Sequence, residues 1–237
     1  MDSNDSKAVV IRSSPKPEKN YQNYREQLRF DFLYSCAYCS IMEFEAGGIG
    51  FEIDHYLPQE IFPQLSGDYE NLMYSCEKCN GLKGDFHTDD ALRKAGKYPI
   101  RVDQGDPDDH FESRGELLYH RTETGEFNIM LFDLNRKGLR RIRNLRTRCH
   151  GSINGIILGL TQLASIKIER ARKDKRPIFA HFKKEMARKG EELAMELDQI
   201  LREFARSPLL DIDPERKNRI KKRAAYLKKQ KAILPSL

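Results

Sequence analysis

Two cysteine pairs constrain this chain more than any other feature. Cys36-Ala-Tyr-Cys39 and Cys76-Glu-Lys-Cys79 each hold two thiols three positions apart, close enough for one tight backbone turn to aim both at a common point. Two such knuckles supply four sulfur ligands, and a four-cysteine tetrahedron with Zn–S distances of about 2.3 Å is the signature of a closed structural zinc site. A lone CxxC would suit redox chemistry, a reading that the second pair weakens. Cys149 has no partner motif and reads as a buried thiol. The opening residues MDSNDSKAVV carry neither a basic n-region nor an apolar h-region, so the cytoplasm is the expected address, where thiols stay reduced.

At 237 residues the chain suits one domain, or a small domain with an appendage. No run of about 18 uncharged apolar residues exists, so no membrane partner is expected. The longest apolar stretch, Ile153 to Ile168, reads as a buried helix. Residues 1–20, with Pro15 and Pro17, read as an extended N-terminal arm. Residues 21–134 form the next segment, with a helix over 21–33, a strand from Phe51 to Tyr56, a second from Leu72 to Ser75 and a helix from Lys78 to Lys83. The acidic stretch 99–114 reads as irregular, and Glu116–His120 with Phe127–Phe132 as a β-hairpin closed at Thr122-Glu-Thr-Gly125. From 135 to 237 the pattern is helical: Leu139, Ile142 and Leu145 recur on one face, and further helices are expected over 152–174, 178–206 and 214–232. The fold class is therefore α+β with a mainly helical C-terminal half.

The formal net charge of +6 conceals an asymmetry. Residues 1–134 hold 14 basic and 25 acidic side chains, residues 135–166 hold 7 and none, and residues 167–237 hold 21 and 11. Such an imbalance suits a polyanion held by the C-terminal half. A solvated helix surface would give the same count.

Between Cys39 and Cys76 lie 36 residues, more than a zinc ribbon needs, so the knuckles bracket an inserted unit. That insert holds Asp54-His55 and Asn71, and Asn80 follows the last cysteine directly. In order, the elements read CAYC, IDHYLP, ENL and CEKCNGLK. This pattern resembles the zinc-stabilised kind of HNH endonuclease, over about residues 30 to 85. The resemblance implies a ββα-metal fold in which Asp54 and Asn80 hold a divalent ion, His55 is the general base and Asn71 braces the loop that holds the histidine. Asn80 stands where the family name has histidine, and the resulting oxygen-rich set favours Mg²⁺ or Mn²⁺. An imidazole suits the base because it is both free and basic near neutral pH.

What the resemblance implies is hydrolysis of DNA phosphodiester bonds, double-stranded DNA being the first choice of substrate. Lys83 can contact phosphate or solvate a helix end, and Arg140, Arg143 and Arg146 on the arginine-rich helix, with the basic run from Arg216 onward, are the candidate phosphate clamps. His87, seven residues after Asn80, would approach the ion if the helix persisted that far. Layout and size are also similar to the HNH subunit of Septu-like bacterial anti-phage systems, which implies a regulatory ATPase partner. Two alternatives stay open: a non-catalytic zinc module that binds nucleic acid or protein, and an HNH nuclease that cleaves RNA.

Overall fold

Strands β1 (Phe51–His55) and β2 (Leu72–Cys76) pair antiparallel in the computed structural model, with Phe51 opposite Cys76 and His55 opposite Leu72. The structure describes residues 10–165, 172–206 and 212–232. β-branched and aromatic residues at Phe51, Ile53 and Tyr74 suit a pleated surface, and every residue of β2 is buried. Strand β2 runs without a loop into a helix, because its last residue, Cys76, is also that helix's N-cap. A single 3₁₀ turn, Tyr21–Tyr24, leads into α1 (Arg25–Asp31), which lays Leu28 against β2 and is followed by the buried Phe32. A short helix α2 (Glu43–Ala46) precedes β1, and α3 (Glu77–Lys83) completes a β–β–α unit. Gly84 ends α3, and α4 (Asp90–Lys94) follows, capped by Asp89.

Residues 10–18 have no regular secondary structure but are docked. Val10 N donates to Val102 O at 3.0 Å, and the Arg12 guanidinium pairs with Asp103 while donating to Tyr69 O and Leu72 O at 2.8 and 2.7 Å. A guanidinium this buried is tolerated because its donors meet a carboxylate and two carbonyls. The rest of the expected arm, residues 1–9, lies outside the described residues.

The hairpin expected across Thr122–Gly125 is corrected. The second strand pair is β3 (Phe111–Arg114) with β4 (Leu117–His120), turned at Gly115, whose φ of 61° suits glycine. Residues expected as its second strand form α5 (Glu123–Leu131). The physical reason is a helix cap: the Thr122 hydroxyl accepts from Gly125 N at 3.0 Å, satisfying a donor that a hairpin turn would have paired otherwise. Gly125 is required by close approach, since a Cβ there would lie 2.1 Å from His110 O. The stretch 99–114, expected to be irregular, thus contains β3 and one 3₁₀ turn at Pro107–Asp109.

Three long helices follow: α6 (Lys137–Ser165), α7 (Arg176–Ala205) and α8 (Arg216–Ala232). α6 continues through position 152, where a separate helix was expected; of that expected helix, 166–171 lie outside the described residues. The chain divides into two compact units, Met1–Arg140 with Ser207–Leu237, and Arg141–Arg206. In the second unit α6 and α7 run antiparallel. Ile142, Leu145, Ile200 and Phe204 are buried, Glu203 pairs with Arg141 and Arg148, and Gly155 leaves room for Leu193. The apolar stretch that starts at Ile153 is helical over its described residues, to 165, and Ile153, Ile157, Leu158 and Leu160 are not buried but 40–60% exposed. Two helices can cover only one face of each other, which leaves those side chains outside. No described helix is long and apolar enough to cross a membrane.

In the first unit α8 packs on α5. Arg219 donates to Asp133 Oδ1 at 2.9 Å and pairs with Asp213, whose carboxyl it holds down to about 2. Because the folded-state pKa lies below the ordinary carboxylate value, this pair stabilises above pH ~4 and stops doing so as pH falls toward 2. Asp213→Asn should therefore lower the melting temperature at neutral pH and converge with the parent near pH 2; a constant gap across that range would contradict the pairing. Thr122→Ala should cost about 1 kcal/mol. Gly125→Ala should cost more, about 2–3 kcal/mol, because backbone has to move. Denaturant midpoints check both.

Candidate functional site

The four thiols Cys36, Cys39, Cys76 and Cys79 converge, with all four Sγ atoms within 4.8 Å of one another. The first knuckle is shaped by Ser40 N donating to Cys36 O at 2.9 Å and by Ser40 at a φ of 56°. The second is the β2–α3 junction, where Cys76 closes the strand and Cys79 lies in the first turn of the helix. Cys39 and Cys76 Sγ are 3.9 Å apart, close to the edge of about 3.8 Å that a tetrahedron with 2.3 Å Zn–S bonds requires. The residues thus fit zinc. Without a cation the thiols cannot all ionise: burial holds Cys36 up, hydrogen bonds that the Cys79 thiol donates to the other cysteines hold it up, and hydrogen bonds to it favour the Cys39 thiolate. Arg136 is buried beside them, Nη2 3.8 Å from both Cys39 and Cys79 Sγ and Nη1 donating to Phe132 O at 2.8 Å. Burial opposes its charge, but the cysteine sulfurs hold it protonated. One guanidinium so placed offsets part of the −2 charge that Zn²⁺ with four thiolates would carry.

From this cluster a side chain reaches the candidate centre. Tyr38, inside the first knuckle, stacks on Phe132 with ring centroids 4.4 Å apart and donates its hydroxyl to Asp54 Oδ2. Burial and the Asp54 charge push the phenol well above its ordinary range, so it stays a donor. The other Asp54 oxygen accepts from Lys83 Nζ at 3.0 Å, and the same ammonium donates to His55 O at 2.6 Å. Asp54 is itself buried. Burial raises its pKa, and Lys83 and Tyr38 act against that rise. Each carboxylate oxygen has two lone pairs, so Asp54 keeps acceptor capacity beyond these two bonds.

His55 closes β1 on the opposite side of the pleat from Asp54. Its ring meets Tyr21 edge-on at 4.7 Å, and Nε2 lies 3.0 Å from Ser66 O. A carbonyl only accepts, so Nε2 is the donor in this contact, and in a neutral ring the acceptor is Nδ1. Asn71 staples the loop that supplies Ser66: its Oδ1 accepts from Leu57 N at 2.8 Å, and its Nδ2 donates to Leu57 O and Leu65 O at 3.0 and 3.2 Å. Asn80, half-buried on α3, donates to Glu52 Oε2 at 2.5 Å.

The structure therefore joins Asp54 to Lys83, and Asn80 to Glu52, while Asp54 and Asn80 share no hydrogen bond among the described residues. Lys83, expected as a phosphate contact or a solvated helix end, is instead buried against Asp54. Arg140 pairs with Glu116, and Arg143 and Arg146 are half-buried. α3 stops at Lys83, so His87 is not carried along it and packs edge-on against Phe62. Cys149, expected to be buried, is half-buried.

Sequence reasoning missed Tyr38, Glu52, Ser66 and Arg136. Strand alternation was a usable signal for Glu52, which shares a strand face with Asp54. No local pattern marks Ser66 or Arg136, since His55 lies 11 positions from the first and Cys39 97 from the second. Arg136→Met should weaken zinc binding about 10–100-fold, read as release to a chelator. An unchanged release rate would contradict a role for the guanidinium at the cluster.

Residues 36–86 match the family model described as HNH endonuclease. Septu protein PtuB of Bacillus thuringiensis is 30% identical over 100 residues, an alignment that covers 42% of this chain and 36% of that protein. The chain thus spans little more than a third of that relative's length in the alignment. No solved structure matches the chain significantly. The four cysteines, both strands of the β–β–α unit and its helix all lie inside the residues that match the HNH endonuclease family model.

Proposed function

We propose that the chain is a metal-dependent endonuclease that hydrolyses phosphodiester bonds of double-stranded DNA. The observation that carries the proposal is the contact of His55 Nε2 with the Ser66 carbonyl. Ser66 O takes the Nε2 hydrogen, and Asn71 holds the loop on which Ser66 sits. An imidazole held in this way offers Nδ1 as the acceptor for a proton from water, which is the work of a general base. Proton removal makes the water a better nucleophile toward phosphorus, and the 3′ oxygen departs from the far side.

Asp54 and Asn80 are the residues that would hold Mg²⁺ or Mn²⁺, and their oxygen donors suit a hard cation. Such an ion, when bound, supplies a Lewis acid that stabilises charge on the phosphate and the leaving oxygen. Glu52 adds a further oxygen beside Asn80. Tyr38 fixes the orientation of Asp54, and through it the four-cysteine cluster supports the centre.

The partial likeness to a Septu protein supports a role in anti-phage defence alongside a regulatory ATPase. A second reading, a zinc module that binds without cleaving, draws support from one observation: both Asp54 oxygens are already held by Lys83 and Tyr38. Nicking of supercoiled plasmid with Mg²⁺ or Mn²⁺ separates the two. His55→Ala should slow nicking about 10²–10⁴-fold. Equal rates in parent and variant would remove His55 as the base, and cleavage of labelled RNA in preference to plasmid would change the substrate.

A further inference from the structure

The HNH segment cannot attract a polyanion by itself. Residues 36–86 hold two lysines and no arginine against nine carboxylates, and one of the two lysines, Lys83, is buried. Three of the five arginines on α6 are paired with carboxylates, Arg140 with Glu116 and Arg141 and Arg148 with Glu203, and Arg143 and Arg146 are half-buried. Helix α8 is different. Its 17 residues carry nine basic side chains and no acidic one, and it belongs to the same compact unit as β1, β2 and α3.

The basic residues of α8 are sorted by face. Inward, Arg219 meets Asp133 and Asp213, Arg223 donates to Leu131 O at 2.9 Å and to Leu82 O at 2.6 Å, and Tyr226 donates to Glu126 at 3.1 Å. These positions recur at intervals of four and three, one side of a helix. Lys217, Lys221 and Lys228 recur at intervals of four and seven, all are exposed, and at 3.6 residues per turn they form a stripe about 40° wide facing away from that side. Lys222 and Lys229, also exposed, lie on one side of the stripe, about 100–120° round the helix from its centre. The Arg223 contact fixes location: Leu82 precedes Lys83, whose ammonium touches Asp54.

We infer that the outer face of α8 is the phosphate clamp of this protein and that it grips the backbone of duplex DNA beside the cleavage centre; the inference rests on the nuclease reading for its substrate. Its exposed face carries no aromatic side chain. Single-stranded nucleic acid is held largely by stacking bases on aromatic rings, whereas a duplex is held by cations on its phosphates. From Lys217 to Lys228 the stripe is about 16 Å long, a reach that spans several phosphates.

The test is binding of a 30-base-pair duplex to the full chain in EDTA, where cleavage cannot interfere, followed against sodium chloride concentration. The variant Lys217→Gln/Lys221→Gln/Lys228→Gln should reduce the slope of log affinity against log salt by about 2–3, at about 0.9 per phosphate contact, on every sequence tried. The corresponding triple Lys→Arg variant should keep the parental slope, because charge and not lysine is required. An unchanged slope in the glutamine variant overturns the clamp, and so does tighter α8-dependent binding of single-stranded RNA than of duplex DNA. The readout is independent of catalysis: a chain that binds through α8 but never nicks plasmid would sink the nuclease reading alone.

Discussion

Convergence of four thiols on one point is the constraint from which the rest of the first unit follows. It joins two places far apart in sequence, the turn after Phe32 and the β2–α3 junction, and so fixes where β2 ends and α3 begins. Bringing those ends together costs loop-closure entropy, which one ion can offset for the whole insert. Arg136 adds a third attachment, from the start of the helical region to the same sulfurs. The centre is then hung from this frame by Tyr38, so order at the cluster is transmitted to Asp54 through one hydroxyl.

Around Asp54 the electrostatics are finely opposed. Burial penalises the carboxylate, and the buried Lys83 ammonium compensates while also tying down the His55 carbonyl. Lys83 thus neutralises a charge that would otherwise be stranded in the interior. Histidine orientation depends on a separate chain of contacts, Asn71 to the 57–65 loop and Ser66 to Nε2. The proposed metal ligand Asp54 and the proposed base His55 are therefore braced by different side chains, Tyr38 and Asn71, so mutations at those two positions distinguish them.

Much of the core was legible because its signals are local. Knuckle spacing, the strand around Phe51–His55, the strand starting at Leu72 and the helix after Cys76 all follow from residue type and short-range period. The hairpin was misplaced because Thr122-x-x-Gly125 suits both a turn and a helix N-cap, and the Thr122 hydroxyl takes the cap bond from Gly125 N. Arginine roles were hidden for the same reason: Arg136 and Arg140 look alike in sequence, yet one serves the thiols and the other an acidic side chain. Exposure of Ile153, Ile157 and Leu160 was also beyond local pattern, since it depends on which face of α6 meets α7.

The central claim is that the four-cysteine frame holds Asp54, His55 and Asn80 as a working centre for a second, oxygen-bound cation. Anomalous scattering from crystals grown with manganese, recorded at both the zinc and manganese edges, tests it most directly. The account predicts a zinc peak among Cys36, Cys39, Cys76 and Cys79 and a distinct manganese peak within ligand distance of Asp54 and Asn80. A zinc peak alone, with Lys83 and Tyr38 still holding both Asp54 oxygens, would contradict it.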